Sequence, residues 1–542
     1  MDKSWVFNTH LIGVCAAAAL VGVFSDANAE ETADAGAACS ALARLDFSKI
    51  QDAPTQIMDA KVVQADGEIP AYCHAEGYIW PQVGFEIQLP LSSWNGKFLE
   101  MGTGGYAGTT KWPLITEHCD DAVRRGYACI HSDHGHASAK TESAAARGAG
   151  DGIWAYNNLQ AEIDYGFRGL HVVALAGKAI VREYYGVAPQ RSYFFGCSGG
   201  GRQAMVAAQR FPWQFDGIIA MDPAMNLTGL VTTFMWDIVA LTDKEGRPIF
   251  TREDLELLHK GALGKCDLND GVEDGVIAEP LACDFDPGEL QCKGLKDKTC
   301  LSKRQVVAAR KVYAGPTNSA GEKLYPGGTM PGAELGHIGF GNAAEPLKEV
   351  WTNFFRYMAF IPDAGPGWRP RDMDFDADYK RLGMMEAIYD ATDPDLRKFK
   401  QRGGKLIIAQ GWDDGGSPMP LGTIDYYETM RRTMGGREAT EDFARLFMMP
   451  GRAHCAAGDG ANAFDFLGYL EAWVEQGKAP DVIIGAHIKS DNLSDYSKGP
   501  EDLGDKVAFT RPVYPYPIQA KYTGDGEPSD YRNFRPFDPT QE

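Results

Sequence analysis

The chain has no dense cluster of lysine or arginine. Nucleic acids and anionic membrane surfaces are bound through such clusters, and here 53 Lys and Arg are outnumbered by 74 Asp and Glu, for a net charge of −21. Neither partner is expected. The chain also lacks any uninterrupted apolar run of the roughly 20 residues that a membrane span needs, so the mature form is expected to have no membrane segment. No internal repeat or low-complexity run interrupts it. With 44% hydrophobic and 11% aromatic residues it does not have the composition of a disordered chain.

What is present begins with an export signal. Met1 to Ala29 carries one early Lys3, an apolar stretch from Leu11 to Phe24 and the small-residue ending Ala27-Asn28-Ala29. This reads as a secretory signal peptide over 1–29, predicting a periplasmic or secreted protein. Cys15 follows Val14 inside it and fits a lipoprotein attachment site poorly. Removing Cys15 leaves Cys39, Cys73, Cys119, Cys129, Cys197, Cys266, Cys283, Cys292, Cys300 and Cys455. An even count in an exported chain predicts disulfides, whose pairing the spacing alone does not assign.

At 542 residues the chain is too long for one simple core. Between Asn95 and Met221 apolar runs alternate with helical stretches, as in Phe98 to Met101, Tyr127 to Ser132 and Gly217 to Met221. That alternation predicts a mostly parallel sheet with crossover helices. From about Asn226 to Phe399 it gives way to Gly/Pro-rich, Trp-rich and acidic text, and it returns at Lys405 to Ala409 and Arg445 to Met449. The predicted fold class is therefore α/β, with catalytic parts over 30–225 and 400–542 and a lid-like insertion over 226–399. The tail after about Pro512, rich in proline and tyrosine, is expected to wrap the surface.

Gly196-Cys197-Ser198-Gly199-Gly200 lies between the apolar Tyr193-Phe194-Phe195 and the helix-like Arg202 to Ala208. This is the G-x-S-x-G nucleophile elbow in its required strand-to-helix setting, and it predicts Ser198 as a nucleophile. A serine needs a histidine base and an orienting carboxylate, both in loops after strands. Leu406 to Ala409 runs into Gln410-Gly411-Trp412-Asp413-Asp414, and Leu446 to Met449 runs into Pro450-Gly451-Arg452-Ala453-His454. His454 is the candidate base. Asp413 and Asp414 compete for the acid role, the spare being expected as a solvated or N-capping carboxylate. Two backbone N–H groups must face the developing oxyanion: Gly199, after the nucleophile, and a glycine of Gly102-Thr103-Gly104-Gly105-Tyr106, with Gly105 the choice.

With these motifs in view, the chain resembles the tannase and feruloyl esterase family of α/β-hydrolases, which includes mono(2-hydroxyethyl) terephthalate hydrolases. Gly196-Cys197-Ser198, Gly411-Trp412-Asp413-Asp414 and Pro450-Gly451-Arg452-Ala453-His454-Cys455 carry the resemblance. It implies the α/β-hydrolase fold, with a large lid domain inserted between nucleophile and acid. It also selects Asp414 as the acid, three residues after the glycine. Further, it implies disulfides Cys197–Cys455, Cys39–Cys73, Cys266–Cys283 and Cys292–Cys300, and leaves Cys119 and Cys129 either bridged or as buried thiols. Many relatives have histidine where this chain has Gln410, so a substrate contact near the acid is expected to differ.

Cys266-Asp267-Leu268-Asn269-Asp270-Gly271-Val272-Glu273-Asp274-Gly275-Val276 crowds hard oxygen donors into a glycine-rich loop, which suits Ca²⁺. The spacing is not that of an EF-hand. The resemblance implies a structural calcium held by Asp267, Asp270 and Asp274 with the carbonyls of Val272 and Val276.

The predicted activity is hydrolysis of a small aromatic acid ester: a feruloyl or other hydroxycinnamoyl ester first, a galloyl ester second and a terephthalate half-ester third. A half-ester calls for a lid arginine, and Arg356, Arg369 and Arg371 stand in the insertion without a matching motif. A peptidase or lactonase could use the same triad. A calcium-stabilised binding module without catalysis would show a lost triad member, and none is lost.

Overall fold

A computed structural model describes residues 36–110, 119–137, 150–490 and 492–541. The predicted signal peptide, 1–29, lies outside the described residues. No helix among them is long and apolar enough to cross a membrane.

Among the described residues nine strands form one sheet in the order β1-β2-β3-β5-β4-β6-β7-β8-β9. The strands are β1 (Thr55–Val63), β2 (Tyr72–Ile79), β3 (Val83–Pro90), β4 (Lys97–Met101), β5 (Ala128–Ser132), β6 (Arg191–Cys197), β7 (Gly217–Met221), β8 (Lys405–Gly411) and β9 (Ala444–Met449). From β5 to β9 every neighbour is parallel. These strands are nearly continuous in apolar residues because helices cover both sheet faces. One face packs on helices Gly169–Tyr185, Gly199–Arg210 and Met419–Met434, the other on Phe466–Gln476. The antiparallel strands β1 to β3 behave differently. In β3, Val83, Phe85, Ile87 and Leu89 point into the core while Gly84, Glu86 and Gln88 face outward, the period-two pattern of a half-covered strand.

The described residues between β7 and β8 contribute no strand to any sheet. They form helices such as Leu227–Leu241, Arg252–Cys266, Lys303–Ala314 and Leu347–Tyr357, packed around two apolar clusters, one of which also takes in Tyr106, Ala107, Tyr165 and Met419 from outside this stretch. After β9 come two small antiparallel sheets, β10 (Ile483–Ile488) with β11 (Val507–Val513) and β12 (Gln519–Tyr522) with β13 (Phe534–Phe537). Between them the tail lies along the free edge of β9, where Pro515 bridges Phe447 and Tyr516 N–H donates to Leu446 O. That contact covers a sheet edge that would otherwise invite pairing with another chain.

Candidate active site

Because the central strands are parallel, their carboxyl ends share one edge of the sheet, the edge at which open α/β sheets place ligands. Gly102–Gly105 leaves β4 there, Ser198 leaves β6, Asp414 follows β8 and His454 follows β9.

Ser198 sits at φ 61° and ψ −118° between strand and helix, a conformation that costs an L-residue about 1–3 kcal/mol. The surroundings enforce it. Ser198 N–H donates to Met221 O at 3.0 Å, and Ser198 O accepts from Arg202 N and Ala224 N. Glycine is required around it. A Cβ on Gly196 would lie 2.5 Å from the Gly200 backbone, and one on Gly199 would lie 2.8 Å from Gly105 O and 3.2 Å from Gly105 N. The backbones of the two expected oxyanion donors thus almost touch. Thr103 holds the second loop in place by exchanging two hydrogen bonds with the Gln203 side chain, at 3.1 and 3.2 Å, and by donating its hydroxyl to Ser132 O at 3.0 Å. Tyr165 OH donates to Gly105 O at 3.1 Å.

Asp414 is fully buried and hydrogen-bonds His454 Nδ1. Burial alone would depress the imidazole, but the Asp414 charge and hydrogen bond override it and hold His454 above its ordinary value. Gln410 is fully buried too. It donates to Asp414 Oδ2 at 2.9 Å and to Asp222 Oδ1 at 3.2 Å, and accepts from Thr423 Oγ1 at 2.8 Å. It therefore orients Asp414, and it does not line the cavity that holds Ser198. Asp413 is neither solvated nor a cap. It is largely buried, its Oδ1 has no hydrogen-bond partner among the described residues, and burial with Asp414, Asp459 and Glu334 nearby pushes it up to about 7.

Asp222, directly after β7, is a buried hub that the motif reading passed over. It accepts from Gly411 N and Cys455 N, each at 2.8 Å, and from Arg452 Nη1 at 3.3 Å. Arg452, also buried, donates through Nη2 to Cys455 O at 2.6 Å. Asp222 stands after a strand as Asp414 does, but its partners are distant in sequence and no neighbouring residue marks its role.

All five bridges close: Cys39–Cys73, Cys119–Cys129, Cys197–Cys455, Cys266–Cys283 and Cys292–Cys300. Cys119 and Cys129 are therefore a disulfide. Cys197–Cys455 joins the residue before Ser198 to the residue after His454 across 258 positions.

Ser198, Gly199, Gly105 and His454 line one cavity of about 180 Å³. The rest of its wall includes Tyr106, Tyr165, Leu227, Leu230, Phe234, Ile338, Leu347, Trp351, Met419 and His337. Among the described residues no Lys, Arg, Asp or Glu lines it. His337, unread in the sequence because nothing local marks it, is driven down to about 4 by burial and by His454, so it faces the cavity as a neutral imidazole. Trp351 is fixed by donating to Asn342 at 2.8 Å. Of the other insertion aromatics, Phe354, Phe355, Tyr357 and Phe360 belong to the buried core and Trp368 packs against it. Arg356 is held by Glu349, Asn353 and Trp368 O, and Arg369 by Asp372.

The acidic loop is closed on itself. Asp267 accepts from Asp274 N and Gly275 N, Asp270 from Val272 N and Asp274 from Val276 N. Arg511 of β11 donates to Asp274 Oδ2 at 2.9 Å. The three carboxylates do not form one of the groups, among the described residues, whose ligand atoms all lie within 4.8 Å of one another. Their all-oxygen chemistry still suits a hard cation. Burial, with Asp274 and Asp267 nearby, pushes Asp270 up to about 6, a cost that a divalent charge would cancel.

The family model for tannase and feruloyl esterase matches residues 61–536. The chain belongs to that family. It is 34% identical to an uncharacterized esterase of Xanthomonas campestris pv. campestris, over 93% of this chain and 92% of that protein. It is 33% identical to a mono(2-hydroxyethyl) terephthalate hydrolase of Piscinibacter sakaiensis, over 86% of this chain and 85% of that protein. The crystal structure of feruloyl esterase B from Aspergillus oryzae aligns with a TM-score of 0.79 at 25% identity, covering 93% of this chain and 100% of that one. As a family member with this fold, the protein is an α/β-hydrolase and a carboxylic ester hydrolase.

Proposed function

We propose that the protein hydrolyses neutral esters of hydroxylated aromatic acids, feruloyl or other hydroxycinnamoyl esters first and galloyl esters second, through a Ser-His-Asp triad and an acyl-enzyme. Ser198 attacks the ester carbonyl while His454 takes its proton. The tetrahedral oxyanion is met by the N–H groups of Gly199 and Gly105. His454 then returns the proton to the leaving alkoxide, and Asp414 steadies the imidazolium throughout. In the second half His454 activates water to release the acid.

The supporting observation is the cavity itself. It brings Ser198 and His454 to one apolar, aromatic wall of a size for one ring, and among the described residues it offers no cation to a carboxylate. His337 supplies a neutral hydrogen-bonding group suited to a phenolic hydroxyl. A terephthalate half-ester would bring an anion to this wall uncompensated. In this reading 226–399 is the lid that closes the cavity over the sheet edge, between catalytic parts 30–225 and 400–542. Calcium belongs to the same proposal: Asp267, Asp270 and Asp274 with the carbonyls of Val272 and Val276 would hold it, and it would supply structural cross-linking only. Five disulfides support export to the periplasm or medium behind the 1–29 signal.

The test is acid release from methyl ferulate, methyl gallate, mono(2-hydroxyethyl) terephthalate and a short-chain acyl ester, with Ser198→Ala as control. Ferulate or gallate esters should be turned over at least tenfold faster in kcat/KM than the half-ester, and the alanine variant should be inert. Fastest turnover of the half-ester would overturn the substrate assignment, and hydrolysis by the alanine variant would overturn the mechanism.

A further inference from the structure

The outward face of the antiparallel strands carries a cluster that the esterase chemistry does not use. Glu76 of β2 pairs directly with Glu86 of β3, Glu86 with His131 of β5, and Glu76 on its other side with Asp59 of β1. Three carboxylates in one cross-strand row repel one another and destabilise the sheet unless a cation lies among them. The nearby ammonium of Lys61 goes to Asp59, at 3.4 Å. His74 lies two residues from Glu76 and so on the same face. Its Nε2 is 3.0 Å from Glu86 Oε2, and Thr110 Oγ1 donates to Glu86 Oε1 at 2.5 Å. The ligand atoms of His74, Glu76 and Glu86 all lie within 4.8 Å of one another. His74 and Glu86 are only 13% and 14% exposed, so the charges are partly stripped of water while an ion can still enter. His74 Nδ1 is buried with no hydrogen-bond partner among the described residues.

We propose that His74, Glu76 and Glu86 bind one divalent ion of the borderline transition-metal class, with zinc(II) as the type, beside His131. An imidazole nitrogen with two carboxylates is a zinc donor set, whereas calcium and magnesium take oxygen ligands throughout. Calcium therefore goes to the Asp267–Val276 loop and zinc to the sheet. The position gives the ion a mechanical role. It joins β2 to β3, and Glu86 is tied through Thr110 to the segment that carries Gly105. Ser132, next to His131, anchors the near end through Thr103.

The test is calorimetric titration of the purified full chain with zinc chloride in saturating calcium chloride, with magnesium chloride as the comparison. One equivalent of zinc should bind with micromolar or tighter affinity, magnesium should not, and the melting midpoint should rise by about 2–3 °C at saturation. His74→Ala and Glu76→Gln should each weaken zinc at least tenfold, while Asp267→Asn leaves it unchanged. Glu76→Gln also relieves the like-charge row, so without metal it should melt no lower than the parent protein, an outcome that a purely structural glutamate would not give. Failure of zinc to bind, or binding that neither sheet variant weakens, would overturn the site.

Discussion

At the scale of single residues, the proposed mechanism makes His454 the group that sets the pH dependence of the reaction. A general base works only when neutral, and Asp414 holds this imidazole above the ordinary value of about 6.5. Activity should therefore climb as pH rises through a midpoint above 6.5 and stay high on the alkaline side. Asp414→Asn removes the charge and leaves the burial, so the midpoint should fall below that of the parent protein while kcat drops by roughly 10³–10⁴-fold. A pH profile with a soluble aromatic ester measures both. An unmoved midpoint would give the electrostatic role to Asp222, which also acts on His454. Asp413 makes a second residue-level prediction with the opposite sign to a paired carboxylate. Its folded pKa, about 7, lies above the unfolded value of about 3.9, so its ionisation costs stability increasingly as pH rises between these values. Asp413→Asn should raise the melting midpoint more at pH 8 than at pH 5. Ser198, Asp414 and His454 are legible as candidates because each follows a buried strand at a turn with recognisable neighbours. Asp222 ends a strand as well, but its work is to accept backbone N–H groups 189 and 233 positions away, which no local pattern records.

At the scale of elements, the site depends on how closely the elbow and the loop after β4 approach. Both backbones are fixed, the elbow by its helix and the loop by Gln203 and Ser132, so neither can yield to a new methyl group. Gly199→Ala should push the Gly105 N–H out of line and lower kcat by about 10²–10³-fold, the loss expected for one oxyanion donor. The melting midpoint should fall by only a few degrees. Gly383→Ala, where a methyl group meets open space, should keep full activity. If Gly199→Ala retained the parent kcat, the oxyanion assignment would fail. The parallel strands β4 to β9 were readable because burial on both faces leaves unbroken apolar text. The antiparallel layer β1 to β3 was not read, although β3 alternates cleanly. In β1 the outward residues include exposed Met58 beside Asp59 and Lys61, and that mixture has no clear period.

At the scale of the molecule, the insertion must be held against a chain with net charge −21. The acidic loop places Asp267, Asp270, Glu273 and Asp274 close together, and it is also where distant parts meet. Arg511 of β11 reaches Asp274 across 237 positions, linking the insertion to the segment that follows the base. The motif alone suggested a cation but could not show this tie, because Arg511 lies far along the chain in text without a pattern. Calcium on Asp267, Asp270 and Asp274 would relieve the repulsion that raises Asp270 and stiffen the link. None of these residues lines the cavity that holds Ser198 and His454. Removing calcium with a chelator should therefore lower the melting midpoint by several degrees while the initial rate at low temperature changes by less than twofold. Calcium chloride should restore the midpoint and magnesium chloride should not. If the melting curve were unchanged and metal analysis found no calcium in the purified protein, the Arg511 contact would be the loop's whole electrostatic support. The insertion would then be held by the apolar cluster it shares with Tyr106, Tyr165 and Met419, because Cys266–Cys283 and Cys292–Cys300 both close within it.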